Sequence, residues 1–464
     1  MSGRIGRMRP PVSRQLTLTV PIAAAFVALP AIVFYWILFR TAIDIPFQDD
    51  YEALLDFLNQ IAELKSTSAK ISYLAAAQFN EYKLFFGHGL AWLQFALFGK
   101  SDVRVLCALG NGFVLLLAIL LWTMFLPNHK NLAHRFALFI PASWLLFQLQ
   151  YVETLNWAMP ALATLPVLVF SLGSFYLLMR SSRMSFCGAL VCLVLAVASF
   201  GNGFLMVPVG TLILAVDRHY ARILGWLAIS AACVAMYAYR YVMPPSHARI
   251  YHSLFSTLIS SRPLYVIAFM GSTAAVPFGG LNHRFVVLSS IVLGLLICTF
   301  FIAIARRGYI RRNPLISYCV LFIVLTAIGV AGLRSDLGIA HSLDSRYKIY
   351  SALLLVFVWF AIAEEFLQDD RLPIRRNLIL LVAIIATALF SLSMDIWGVA
   401  YLLDRNRRVV TGMTAFEHPV SSEELVGPIL PYPNQDPRLD ELDRRAPLIL
   451  RQSMNLGVYR PPAY

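Results

Sequence analysis

The run LTLTVPIAAAFVALPAIVFYWILF, residues 16–39, followed at once by RTAIDIPFQDDYE, residues 40–52, decides the fold. The first piece is uncharged throughout. A helix rises about 1.5 Å per residue, so about 20 apolar residues cross the ~30 Å hydrocarbon core of a bilayer. The run is too long for a signal-peptide core, and no convincing cleavage site follows it, so it reads as an uncleaved anchor. Arg4, Arg7, Arg9 and Arg14 precede it, and Asp49-Asp50 follow it.

Similar runs recur along the chain. They predict eleven spans: 16–39, 103–126, 136–150, 157–179, 184–200, 204–217, 223–241, 284–305, 315–333, 347–366 and 377–398. The 464 residues are 59% hydrophobic and only 14% charged, against about 25% charged in soluble domains. The runs are continuous and do not alternate, which selects helices over a membrane barrel. The expected fold is an all-α polytopic membrane protein.

Charge placement sets the expected orientation. Lys130/Arg135, Arg180/Arg183, Arg218/Arg222, Arg306 to Arg312 and Arg371/Arg375/Arg376 share one side with the N-terminus. Positive-inside bias makes that side cytoplasmic. The odd span count then puts the C-terminus outside. The apolar stretches 84–98 and 263–278 are short for spans, and letting only one of them cross would put basic loops outside. Both are expected as external juxtamembrane helices. The transmembrane domain is therefore 1–398, with external loops at 40–102 and 242–283 and a proline-rich external tail at 399–464.

The net charge of +13 flanks the spans and forms no aromatic-interleaved soluble module, which argues against nucleic-acid binding. All six cysteines lie inside apolar runs. That argues against a disulfide framework or zinc site.

Residues with chemical capacity gather on the external side. Asp49 and Asp50 can take a proton from an attacking hydroxyl, or bind a cation together; either can equally cap a following helix from Tyr51. Asn80-Glu81-Tyr82-Lys83 and His88 form a polar approach to the first juxtamembrane helix, suited to a sugar or headgroup, or to plain solvation. Glu153 is the lone charge in the turn 151–156. Arg334 and Arg346, next to Tyr347, are cations on the side where cations are rare, and guanidinium suits phosphate; pairing with Asp336 and Asp344 is the alternative. Asp395 sits near the external end of the last span.

This arrangement resembles the GT-C class of membrane glycosyltransferases. The residues that carry the likeness are Gln48-Asp49-Asp50-Tyr51, the run Leu97-Phe98-Gly99 with Arg104 just beyond, and Ser345-Arg346-Tyr347 opening a late span. The bacterial branch with protein mannosyltransferase-like and aminoarabinose transferase-like enzymes is the most similar. The resemblance implies a polyprenyl-phosphate sugar donor and a glycan, lipid or protein acceptor at the external face of a bacterial inner membrane. It implies Asp49 or Asp50 as base, Glu153 as a second acid, and Arg334 or Arg346 beside the departing phosphate. Tyr51, Asn80, Glu81, Lys83, His88 and Tyr347 would complete the substrate site. Where the class has a His-Pro-Pro-Leu-like run, this chain has Asn80-Glu81-Tyr82-Lys83-Leu84. No Asp-x-Asp motif stands in a loop, so a divalent metal is not supported.

Two other functions compete. An O-antigen polymerase or ligase would use the same lipid-linked sugars, but with a longer arginine-rich late loop than 334–346. A lipid-linked sugar transporter or flippase would call for mid-membrane charges and internal repeats; the spans carry few of the former, and no repeat is evident.

Overall fold

The computed structural model describes residues 19–125, 131–243, 262–276, 283–367, 373–417 and 437–462. Arg4 to Arg14, Lys130, Arg371 and most of the expected loop 242–283 lie outside these residues.

In chain order the helices are α1 (Val20–Thr41), α2 (Phe57–Glu63, continuing a π-helical turn Tyr51–Asp56), α3 (Thr67–Ala76), α4 (Phe85–Phe98), α5 (Val103–Met124), α6 (Leu132–Leu146), α7 (Ala158–Leu178) and α8 (Arg183–Ser199). There follow α9 (Met206–Val216), α10 (Tyr220–Ala238), α11 (Arg262–Met270), α12 (His283–Arg306), α13 (Pro314–Arg334), α14 (Lys348–Phe366), α15 (Pro373–Glu417) and α16 (Pro437–Asn455). Short polar side chains start many of them. Asp102 accepts the N–H groups of Arg104 and Val105, Ser182 that of Ser185, and Asn313 that of Ile316 ahead of Pro314. Such caps satisfy amides that the helix itself leaves bare.

Among the described residues, eight helices are long and apolar enough to cross a membrane: α1, α5, α7, α10, α12, α13, α14 and α15. α4, α6, α8 and α9 are apolar but shorter. Large apolar side chains remain exposed on the outer helices, among them Ile32, Trp36 and Phe39 on α1, Leu288 and Leu296 on α12, and Leu389 and Ile396 on α15. Faces of that size belong in hydrocarbon. The chain is an all-α, multi-pass membrane protein.

Eight of the eleven expected spans fall on these long helices and three, 136–150, 184–200 and 204–217, on the shorter α6, α8 and α9; the last long helix does not stop at residue 398. α15 runs on unbroken to Glu417. The run Asp404 to Arg408 ends the apolar stretch without ending the helix, because it contains no proline or glycine and pairs Asp404 with Arg408 one turn on. At ~1.5 Å per residue its 45 residues extend to about 68 Å, more than twice a hydrocarbon core.

The irregular segments collect at two ends. At one, Arg312 pairs with Glu365 and the Tyr309 hydroxyl donates to Glu364 at 2.7 Å. At the other, the loop after α1 meets the turns following α6, α8 and α13. α11 is held at this second end by close backbone approach to α12. A Cβ on Gly271 would run into the Ser290 carbonyl, and one on Gly294 into the Ile267 carbonyl. Beneath the first loop lies a separate apolar cluster, in which Tyr51, Leu54 and Leu58 pack with Ile449, Leu450 and Tyr459 from α16 and the residues just after it.

Candidate functional site

Two of the three acids after α1 are committed to helix N-termini far along the chain. Asp44 accepts the N–H of Val103 at 2.7 Å, capping α5 from outside. Burial pushes its carboxyl up to about 6, against that N–H bond. Asp50 is fully buried and accepts three backbone N–H groups: Met159 at 2.8 Å, Ala158 at 3.3 Å and Phe47 at 3.2 Å. It caps α7 and makes no side-chain cap to the helical turn it precedes. Burial pushes Asp50 up to about 7, opposed by these N–H groups and by Arg405.

Asp49 goes elsewhere. Gln48 adopts a left-handed backbone, φ 45°, a conformation with a steric cost for a residue with a Cβ. The turn separates the two neighbouring carboxylates. Asp49 is half-buried, and its charge acts on Arg346 together with those of Asp344 and Glu153.

Arg346 is locked to the turn 149–154. The Glu153 N–H donates to Ser345 Oγ (3.3 Å), Ser345 Oγ–H donates to the Gln150 carbonyl (3.1 Å), and the Arg346 N–H donates to Glu153 Oε2 (3.3 Å). The Arg346 guanidinium donates to Asp344 Oδ2 at 3.1 Å and lies over the Tyr347 ring. Burial holds Glu153 above the usual carboxylate range, with Arg346 pulling the other way. The turn itself is set by Asp395, which accepts the Leu149 N–H at 3.1 Å. That is the structural use of the acid seen near the end of the last span.

Arg334 stands beside this group. It pairs with Glu81 at 2.5 Å and donates to the Tyr82 hydroxyl at 3.3 Å. The Tyr265 hydroxyl is buried, has no hydrogen-bond partner among the described residues, and lies within electrostatic range of both Arg334 and Arg346. The Nε atoms of both arginines are likewise buried without a partner among the described residues. The site thus presents cationic and hydroxyl donors to an anion, beside a half-buried carboxylate.

The remaining expected residues serve the frame. Lys83 is buried and donates to the carbonyls of Ala75 (2.9 Å) and Tyr239, pinning the segment before α4 to the end of α10. His88 stacks face to face on Phe57 at 4.1 Å, with Nε2 2.8 Å from the Ala53 carbonyl. Tyr51 is buried in the cluster under the loop. Asn80 is an exposed turn residue with φ 48°. Tyr347 packs on Phe269 at 5.4 Å, beside Tyr350. Tyr82, from the polar run 80–83, belongs to this neighbourhood, as do Tyr265 and Asn202, which donates to the Tyr350 hydroxyl at 2.9 Å; the last two stand in apolar or glycine-rich stretches with no motif to mark them. Among the described residues no three His, Cys, Asp or Glu side chains converge as a metal site requires.

The chain matches no family model, no curated protein and no solved structure. The functional reading therefore rests on the site itself.

Proposed function

We propose that the chain is a GT-C-type membrane glycosyltransferase. It moves a sugar from a polyprenyl-phosphate donor to an envelope glycan, lipid or protein on the external face of a bacterial inner membrane. The observation that carries this reading is the convergence of Asp49, Glu153 and Asp344 on Arg346, with Arg334 and the Tyr265 hydroxyl alongside, at one end of an apolar bundle. A lipid donor reaches such a place sideways from the bilayer, and a polar acceptor reaches it from water.

Asp49 takes the proton of the acceptor hydroxyl, whose oxygen attacks the anomeric carbon. The bond from that carbon to the phosphate oxygen breaks, and its electron pair leaves on the phosphate. Arg346 and Arg334 neutralise the charge that develops there, and preorganised donors of this kind supply much of an enzyme's rate. Asp50 is not the base, because its lone pairs already hold the α7 N-terminus.

The test is transfer from a radiolabelled polyprenyl-phosphate sugar pool into lipid, glycan and protein fractions of membranes carrying wild type or Asp49→Asn. Label transferred by wild type and lost in the variant at equal expression supports the reading and identifies the acceptor class. Equal transfer in the two rules out Asp49 as base. No wild-type transfer from any of the common polyprenyl-linked sugars rules out the enzyme.

A further inference from the structure

The extension of α15 beyond the bilayer places one buried cation at the meeting point of both acid-bearing segments. The Arg405 guanidinium lies over the Phe47 ring, its Cζ 3.9 Å from the centroid. It also donates to the Asn156 carbonyl at 2.6 Å. Phe47 is two residues from Asp49, and Asn156 is three residues from Glu153. The two segments touch each other as well, since the Phe47 and Trp157 rings meet edge to face at 5.6 Å.

The junction extends to α1. The Thr41 carbonyl accepts from Asn156 Nδ2 at 2.9 Å and from Asn406 Nδ2 at 2.6 Å. Upstream on α15, Asp395 holds the start of the Glu153 turn, and Gly398 lets Leu149 pack against the helix where a Cβ would collide with it. One continuous helix thus carries, in order, a contact to each end of the Glu153 turn, a contact to the Asp49 loop and a contact to α1.

We infer that Arg405 is a positioning residue that holds the Asp49 loop and the Glu153 turn in one rigid register, and that the working site reaches past residue 398 to Arg405 and Asn406. A planar guanidinium is suited to the task because it can stack on an aromatic face and donate in its own plane at once. A lysine keeps the charge and loses the stack. The kinetic part of the inference rests on the transferase reading; the structural part does not.

The experiment compares full-length wild type, Arg405→Ala, Arg405→Lys and the exposed neighbour Arg407→Ala in two assays. Hydrogen–deuterium exchange in detergent micelles is expected to speed up in Arg405→Ala at the amides of 47–51 and of 153–159 together, with α12 and α14 unchanged. Transfer assays are expected to show kcat lowered about 30-fold with donor KM within twofold of wild type, and partial recovery in Arg405→Lys. Arg407→Ala is expected to match wild type in both assays. Unchanged exchange in both segments of Arg405→Ala overturns the inference, as does a rise in KM without a fall in kcat. A wild type with no transfer at all defeats the transferase reading alone, and the exchange assay still decides the positioning role. Where Arg405→Ala does not fold, Arg405→Lys is judged by the same exchange criterion.

Discussion

The Asp50 carboxylate lies 2.8 Å from the backbone N–H of Met159, 109 residues away in the chain. That contact separates the roles of two adjacent acids. Asp50 binds the loop to α7, and the charge of Asp49 acts on Arg346.

The separation has a measurable consequence. At pH 8, Asp50→Asn replaces an acceptor of three N–H groups by an amide with one acceptor atom. Stability in detergent is expected to fall by about 1–3 kcal/mol, the cost of leaving buried donors unsatisfied. Asp49→Asn is expected to cost less stability than Asp50→Asn and to lower transfer at least ~100-fold, as loss of a general base does. Paired unfolding and transfer measurements check both. A large stability loss in Asp49→Asn with transfer retained in both variants would contradict the assignment.

Glu153 and Arg346 make a pH prediction. Burial raises the Glu153 carboxyl and Arg346 opposes the rise. Removing the cation therefore raises it further, and the carboxylate that accepts the Arg346 N–H is lost at a higher pH than in wild type. In Arg346→Gln the acid limb of the pH–rate profile is expected to move to higher pH, the direction in which losing a close cation shifts a carboxylate. In Glu153→Gln that limb is expected to lose the Glu153 step and to keep the one set by the base Asp49. An acid limb that stays in place in both variants would separate Glu153 from the reaction.

The helix pattern was legible because hydrophobic length is a local property. The run 157–179 becomes Ala158–Leu178, and 184–200 becomes Arg183–Ser199. The end of the last helix was not legible, because polar residues such as Arg405 and Asn406 continue a helix as readily as they leave one. The choice between Asp49 and Asp50 was also hidden. It depends on the left-handed turn at Gln48 and on a helix N-terminus more than 100 residues away, and neither has a signature in the loop. Lys83 and His88 looked like ligand-facing groups by type. Their partners are backbone carbonyls of Ala75, Tyr239 and Ala53, which only the packed chain brings near.

Asp44 sets a pH dependence of stability. Its carboxyl stands at about 6 in the folded protein, above the ~3.9 of an unfolded aspartate. The folded state therefore binds this proton more tightly. The resulting stabilisation is complete below about pH 4 and is lost as pH rises through about 6. Between pH 4 and 6.5 the unfolding midpoint of wild type is expected to decline more steeply than that of Asp44→Asn. Parallel slopes in the two proteins would show that Asp44 titrates alike in both states.

The last prediction concerns how α11 presents Tyr265. α11 touches α12 through Gly271 and Gly294, where each glycine faces a carbonyl of the other segment. A methyl group at Gly294 would overlap the Ile267 carbonyl, and backbone cannot swing aside as a side chain does. Gly294→Ala must therefore push the two segments apart, and overpacking of this kind costs about 1–3 kcal/mol. The C-terminal end of α11 is held by Gln150, Lys348 and Ser351, through the carbonyls of Thr273, Ala275 and Met270. With that end fixed, the displacement is taken up along α11, and the Tyr265 hydroxyl moves away from Arg334 and Arg346. The expected result is a weaker grip on a phosphate-bearing donor: KM raised about 5-fold or more, with kcat at saturation much less affected. Tyr265→Phe, which removes the hydroxyl without moving the helix, is expected to raise KM in the same direction with unfolding unchanged. Agreement of the two variants in KM, and their difference in stability, would assign the hydroxyl to donor binding and the glycines to its placement. A Tyr265→Phe enzyme indistinguishable from wild type would remove the hydroxyl from the site.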